Sequence, residues 1–275
     1  MRSRSAAVSR WALTGMVTLL AATMLLPFLY MASTSLMDEF EVLRYPPALL
    51  PAHPLAGNYA RALGALPFGR FFLNTALLAG AVVVGQVTTS ALAAYAFARL
   101  RFPGRDRVFL TFISVLLVPA IVLLIPRFLI VNALGWVDSY AGLISTELVS
   151  VWGIFLLRQF FRTLPRELED AARLDGAGEW QIFWRVAVPL SRPALATLAV
   201  FAFVDQWKSF LWPLIVTRSV RMQVVEVGIA SFHGLYYTNW PYQMAAAVTA
   251  VVPLVVLFFA AQRYFIRVIQ LTGLK

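Results

Sequence analysis

Long apolar stretches separated by short polar and basic segments set the pattern of this chain. Trp11–Leu36 and Phe71–Phe97 contain no charged residue. Val108–Val131 carries Pro119, Pro126 and Arg127 toward its end, and Trp136–Leu157 contains Glu147. Pro193–Val216 contains Asp205 and Lys208, and Met244–Ile266 closes the series. A membrane helix needs about 20 mostly apolar residues to cross a hydrocarbon core of roughly 30 Å. Six transmembrane helices and an all-α polytopic membrane protein are therefore predicted. The first stretch, at about 26 residues, is too long for a signal-peptide core and reads as a retained anchor.

The polar segments assign the sides of the membrane. Three arginines precede the first span, four lie between the second and third, six between the fourth and fifth, and three basic residues close the chain. The opposite side holds six arginines in all, Arg127 at the end of the third span among them. Cytoplasmic segments carry the excess of Lys and Arg, so both termini are expected to be cytoplasmic. Residues 1–275 read as one transmembrane domain with a large cytoplasmic loop over residues 158–192. The external stretch from Pro46 to Pro54 contains four prolines and is expected to be extended.

Composition supports the bilayer and removes other readings. The chain is 60% hydrophobic and 13% charged, against roughly 45–50% and about 25% in soluble domains. The net charge of +10 belongs to membrane-flanking residues and does not call for nucleic acid. Cysteine is absent and the only histidines are His53 and His233, so no thiolate or histidine-rich metal site is expected. No G-x-x-x-x-G-K-[ST] phosphate loop is present. The chain is expected to bind no cofactor and to perform no ATP chemistry.

The cytoplasmic loop looks built to grip a soluble partner. Thr163 is a plausible N-cap, Pro165 suits a first helical turn, and Glu167, Glu169 and Asp170 sit near the positive end of the helix dipole. Leu168, Ala171 and Ala172 share one face, and alanines let a helix lie close to another backbone. Gly176 and Gly178 are expected to end this helix. A second short helix carries Ile182, Phe183 and Val186 and is expected to stop at Pro189. On pattern alone, this loop is either a docking helix or a solvated helix on the membrane surface.

Pro165, Glu167, Leu168, Asp170, Ala171, Ala172, Asp175, Gly176, Ala177, Phe183 and Pro189 resemble the EAA-loop signature of binding-protein-dependent ABC permeases. Asp170 stands where the family has Glu, one methylene shorter. Ser90–Arg99 with Phe102–Arg105, and Trp207 with Phe210–Pro213, are similar to the maltose-permease-like, carbohydrate-uptake branch. Lys208 replaces an Asn common there, and the tail Leu271–Lys275 is shorter than the family's. The resemblance implies a type I ABC importer permease fold in a bacterial cytoplasmic (inner) membrane. It implies as partners a second homologous permease subunit, two copies of a cytoplasmic ABC ATPase carrying ATP and Mg, and an extracytoplasmic substrate-binding (lipo)protein. Glu167, Glu169, Asp170, Ala171, Ala172, Asp175 and Gly176 become the ATPase-docking residues. The cargo implied is a sugar of the disaccharide or amino-sugar type, or, alternatively, glycerol-3-phosphate or a glycerophosphodiester.

Ionisable groups inside spans are costly and default to functional candidates. Glu147, Asp205, Trp207, Lys208 and Phe210 are the candidates for the translocation pathway. Asp205 and Lys208 are three apart and can pair; the other reading is that Lys208 faces the pathway. Glu147 is either a pathway group or the partner of a neighbouring span, and Arg127 is expected at the outer interface. The aromatic stretch from Phe232 to Tyr242 suits an interfacial belt or a surface for the binding protein. A proton-coupled secondary transporter using Glu147, Asp205 and Lys208 is the rival from another class. Such folds show repeats with matching broken spans, which the sequence lacks.

Overall fold

The computed structural model describes residues 2–234 and 237–272, with side-chain surroundings for residue 11 and residues 13–262. Tyr236 and Gly273–Lys275 lie outside the described residues, as do the side chains of Arg2, Arg4, Arg10, Arg263 and Arg267. The described residues are helical apart from turns and an isolated bridge between His233 and Thr238. They form two compact units, residues 1–66 with 229–252 and residues 67–228 with 253–275.

The first unit contains α1 (Arg2–Thr34) and α2 (Gly57–Ala65). No residue in the most apolar window of α1 is buried, which suits a helix surrounded by lipid. The Pro-rich stretch from Pro46 to Pro54 forms no helix, as expected, and it is pinned. Ser33 Oγ donates to Leu49 O at 2.6 Å, and buried Asn58 donates through Nδ2 to Ser35 O and Met37 O at 3.0 and 2.8 Å. In residues 229–252, His233 Nδ1 and Thr238 Oγ1 share a hydrogen bond of 2.8 Å.

The second unit is built around α3 (Phe68–Arg99), a helix of 32 residues that is about 48 Å long at 1.5 Å per residue. After it come α4 (Arg105–Leu117, ending in a 3-10 turn) and α5 (Ala120–Ala133), then α6 (Tyr140–Glu147) and α7 (Val151–Thr163). Helices α8 (Arg166–Leu174) and α9 (Glu179–Leu190) precede α10 (Arg192–Trp207). The series ends with α11 (Leu211–Val216), α12 (Val225–Ala230) and α13 (Trp240–Thr272), of which α13 begins in the first unit. Helices α1, α3 and α13 are long and apolar enough to cross a membrane, and the bent pairs α4/α5, α6/α7 and α9/α10 bring the number to six if each is one span.

The breaks have local causes that the apolar pattern conceals. Helices α4 and α5 meet at 95°, because Pro119 lacks a donor and pushes Val118 to an extended conformation, φ −85° and ψ 119°. Ser150 is extended at the 41° bend between α6 and α7, and its Oγ caps Gly153 N at 3.0 Å. The fourth apolar stretch therefore runs on to Thr163, which places Arg158 and Arg162 on α7. Thr163 donates back to Phe160 O at 2.7 Å and does not cap α8, where Pro165 holds the N-cap position. Pro189 does not stop α9, which continues to Leu190 after a π turn over Phe183–Ala187. The wider turn lets the hydrogen-bond ladder pass a residue with no N–H. The fifth stretch, expected to continue to Val216, breaks after Trp207 and resumes at Leu211.

Helices α3, α7 and α10 enclose the core below the breaks. Ala91, Ala94, Leu157, Phe161, Ala194 and Leu198 are buried there, and the Tyr95 ring meets Phe161 and Phe183 edge-on at 5.8 and 5.2 Å. Small residues let these backbones approach. At Gly153 an added Cβ would lie 2.7 Å from Ser90 Oγ and 2.9 Å from Leu198 Cδ1. Gly153→Val is expected to force the three helices apart, costing about 1–3 kcal/mol as an overpacked site. A drop in the thermal aggregation temperature of the purified protein would register it; an unchanged temperature would refute it.

Candidate docking surface and membrane charge network

The loop helix α8 is held from within by charge. Arg99, the last residue of α3, places Nε 2.9 Å from Glu169 Oε1, with both side chains almost fully buried. The N–H is not aimed at that oxygen, so this is a charge contact rather than a directed hydrogen bond. Arg99 Nη2 donates to Leu164 O at 2.6 Å, fixing the residue before Pro165 as well. Burial pushes the Glu169 carboxyl up, while Arg99 and Arg173 pull it back. Arg173 Nη2 reaches Glu179 at 2.9 Å and Nη1 reaches Asp170 at 2.9 Å, and Tyr95 Oη donates to Glu179 Oε2 at 3.3 Å. The turn after α8 is closed by Gly176 at φ 84°, with Ala177 N donating to Ala172 O at 2.9 Å.

This anchoring orients the helix. Glu169 faces inward, and Ala172 is half-buried. Glu167, Asp170, Ala171 and Leu174 are exposed at i, i+3, i+4 and i+7, the spacing of a single helical stripe. Leu174 is 90% exposed and Leu168 46%. Asp175 and Gly176 are also exposed. Of the residues expected to share one face, Leu168 and Ala171 are exposed and Ala172 is half-buried. The aromatic rings of Trp180, Phe183 and Trp184 cluster on α9, with Trp180 and Trp184 largely exposed.

A second network lies within the apolar stretches. Arg127 on α5 is ion-paired with Glu147 on α6, and its Nη2 donates to Thr146 Oγ1 at 2.7 Å. Its guanidinium carbon lies 4.3 Å from the ring centre of Trp212. Arg127 is therefore a structural partner inside the unit and not a group reaching to the outer interface. Gln206 Nε2 lies 3.4 Å from both Glu147 Oε2 and Asp205 Oδ2, which links Asp205 to the same chain of groups. Asp205 and Lys208 do not pair. Lys208 is the C-cap of α10, where the helix ends, φ −89° and ψ 5°. Its charge acts instead on Glu226 of α12, whose carboxyl is pushed up by burial and pulled back by Lys208. Trp207 is buried and stacked on Phe203 at 5.3 Å, so it belongs to the packing, whereas Phe210 at the break is 39% exposed.

Residues 86–270, from the middle of α3 to α13, match the family of binding-protein-dependent transport system inner membrane components. The chain belongs to this family. It is a permease subunit of an ABC importer and an inner-membrane protein. Among its relatives is the sn-glycerol-3-phosphate transport system permease protein UgpE of Yersinia pestis bv. Antiqua (strain Antiqua). The two are 37% identical over 239 residues, 84% of this chain and 85% of the relative. The protein of that name from Rhizobium meliloti (strain 1021) is 35% identical over 250 residues, covering 88% and 89%. A chain of a bacterial ABC transporter involved in the import of the acidic polysaccharide alginate superposes with a TM-score of 0.82 at 25% identity. The match covers 95% of this chain and 98% of that one. A chain from the alginate transporter in complex with an alginate pentasaccharide-bound periplasmic protein has a TM-score of 0.67 at 18% identity and agrees in fold.

Several structural residues of this permease were not singled out by sequence reasoning. Arg99 read as a topology charge and Arg127 as a group at the outer interface, yet both are ion-pair partners. Arg158 is likewise buried, 3.3 Å from Asp106 and with its guanidinium carbon 3.8 Å from the Phe109 ring centre. Asn74, near the start of α3, donates through Nδ2 to Arg221 O and Gln223 O at 2.9 and 2.7 Å. Asp138, at φ 59°, accepts from Arg218 N and Ser219 N, both at 2.9 Å. The polar residues Asn74 and Gln86 inside a charge-free apolar stretch were the available signal.

Proposed function

We propose that this subunit forms half of the translocation pathway for a sugar handed over by an extracytoplasmic binding protein, with both termini cytoplasmic. A second homologous permease supplies the other half. Two copies of a cytoplasmic ATPase hold ATP and Mg and perform the hydrolysis, while this chain performs no catalysis. Helix α8 is the docking element. The observation that carries this reading is the division of α8 into an inward anchor, Glu169 on Arg99, and an outward acidic and apolar stripe, Glu167, Asp170, Ala171 and Leu174. A carboxylate stripe with an exposed leucine suits a partner that offers basic side chains and an apolar groove. The ATPase movement is then passed to the permease through Arg99 at the end of α3.

The test is charge reversal on the outward face. Glu167→Arg with Asp170→Arg is expected to remove the ATPase from the co-purified complex, weakening the contact by about 10²-fold for two charge pairs reversed. The permease remains in the membrane fraction. Normal ATPase co-purification and normal uptake in that variant would refute the docking role. The names of the UgpE relatives favour a second reading for the cargo, glycerol-3-phosphate. Calorimetric titration of the purified binding protein with sugars and glycerol phosphates discriminates the two readings at the level of the delivering protein.

A further inference from the structure

A cavity of about 830 Å³ opens where the turn after α3 meets the start of α8, lined by Arg101, Phe102, Arg105, Asp106, Arg107 and Arg166. This volume is in the range of small-ligand sites, about 300–1,000 Å³. Its depth follows from α3, whose 32 residues make it longer than the hydrocarbon core of roughly 30 Å. Charged side chains are costly inside that core, so the arginines just past the end of α3 stand at the level of the lipid headgroups.

The charges around the cavity leave a surplus of cations. Asp106 is shared by Arg105 and Arg158, at 3.2 and 3.3 Å. Arg105 also donates through Nη1 to Leu100 O at 3.2 Å. The carboxylates of α8 near Arg166 are held by other arginines, Glu169 by Arg99 and Asp170 by Arg173, both at 2.9 Å. Glu167 lies on the outward stripe and does not line the cavity. Arg101, Arg107 and Arg166 are exposed and form no ion pair among the described residues. Three like charges from two separate segments thus converge on one space with no carboxylate of their own. An apolar surface begins beside them. Leu110, one turn along α4 from Arg107, is 65% exposed, and Val115, Leu116 and Leu117 are exposed beyond it.

We propose that this cavity holds the headgroup of an anionic phospholipid of the bilayer, with its acyl chains along the exposed face of α4. A basic cavity at the foot of an apolar helix face matches the two ends of such a molecule. The phosphate oxygens accept from the guanidinium groups of Arg101, Arg107 and Arg166, whose planar fork suits phosphate. A zwitterionic lipid brings its own cation into the same space and gains less. Arg166 is the first residue of α8, so the bound headgroup ties the loop helix to the turn between α3 and α4. The inference rests on the inner-membrane placement and is independent of the cargo.

The test uses the purified complex of both permease subunits and the ATPase, exchanged into detergent with equal amounts of phosphatidylglycerol and phosphatidylcholine of the same acyl chains. Retained lipid is counted by native mass spectrometry. The wild type is expected to retain phosphatidylglycerol in preference. Arg101→Gln with Arg107→Gln is expected to lower that preference about 30-fold, for two surface cations removed. Arg101→Lys with Arg107→Lys keeps only part of it, since an ammonium lacks the fork. Arg185→Gln with Arg192→Gln, an equal loss of exposed charge outside the cavity, leaves it unchanged. Excess inorganic phosphate does not displace a lipid that is also held by its chains. No preference in the wild type would overturn the site. The same drop in both glutamine pairs would reduce it to general surface charge and overturn it as well. Displacement by inorganic phosphate would assign the cavity to a free anion instead of a lipid. Loss of the ATPase from the Arg101→Gln, Arg107→Gln complex in phosphatidylcholine alone would assign the arginines to the ATPase contact, which also overturns the proposal.

Discussion

Arg99→Ala is expected to uncouple the permease while leaving its outward docking stripe chemically intact. The substitution removes the only cation that touches Glu169 at close range from α3, and also the 2.6 Å hydrogen bond to Leu164 O. Removing one partner of a buried ion pair costs about 3–5 kcal/mol, because the other charge is left without compensation. Arg173 approaches Glu169 only to 3.8 Å and is shared with Asp170 and Glu179, so it replaces little of this. The detached population of the loop should rise on the order of 100-fold or more. Faster limited proteolysis between α7 and α9, together with loss of ATP-driven uptake, is the expected result. Arg99→Leu combined with Glu169→Leu should recover protease resistance, since a buried pair replaced by apolar groups is often neutral. Wild-type uptake and protease resistance in Arg99→Ala would refute the anchor.

Arg127→Ala should have an effect of similar size on the membrane interior. Among the described side chains, the Glu147 carboxylate would keep the Gln206 amide at 3.4 Å, while Thr146 Oγ1 would lose its donor and Trp212 its overlying cation. The expected cost is again about 3–5 kcal/mol, read as a lower yield of membrane-inserted protein and earlier thermal aggregation. Arg127→Met with Glu147→Gln should recover much of the yield, because neither charge is then orphaned. A single mutant as stable as wild type, or a double mutant no better than the single, would show that the pair does not hold α5 to α6.

The spans were largely legible in the sequence because lipid exposure demands apolar side chains over a fixed length. Trp11–Leu36 and Phe71–Phe97 fall within helices α1 and α3 apart from the last residues of the first. The loop helix α8 was legible because Pro165, Gly176 and Gly178 punctuate it and the acidic first turn follows the helix dipole. The breaks were not. Val118, Ser150 and Lys208 lie inside apolar stretches whose hydropathy is unaffected by a change of direction. Pro119 was visible, but a proline can kink a span or pass through it, as Pro27 does within α1 and Pro253 within α13.

Charge roles divided along the same line. Counting arginines gives a side of the membrane because the rule is a sum over loops. It cannot say that Arg99 meets Glu169, 70 residues away, or that Arg127 meets Glu147 across a bend. The Asp205–Lys208 pairing inferred from spacing assumed a continuous helix, and the helix ends between them at Trp207. By itself the sequence determined an all-helical membrane permease, its apolar lengths and a helical acidic loop between its fourth and fifth apolar stretches, all of which follow from local pattern and motif. Tertiary structure alone decided which face of α8 is free, which charges are compensated and that Arg166 shares a cavity with Arg101 and Arg107. Burial and charge pairing depend on residues brought together by the packing of α3, α7 and α10, and no local pattern encodes those distances.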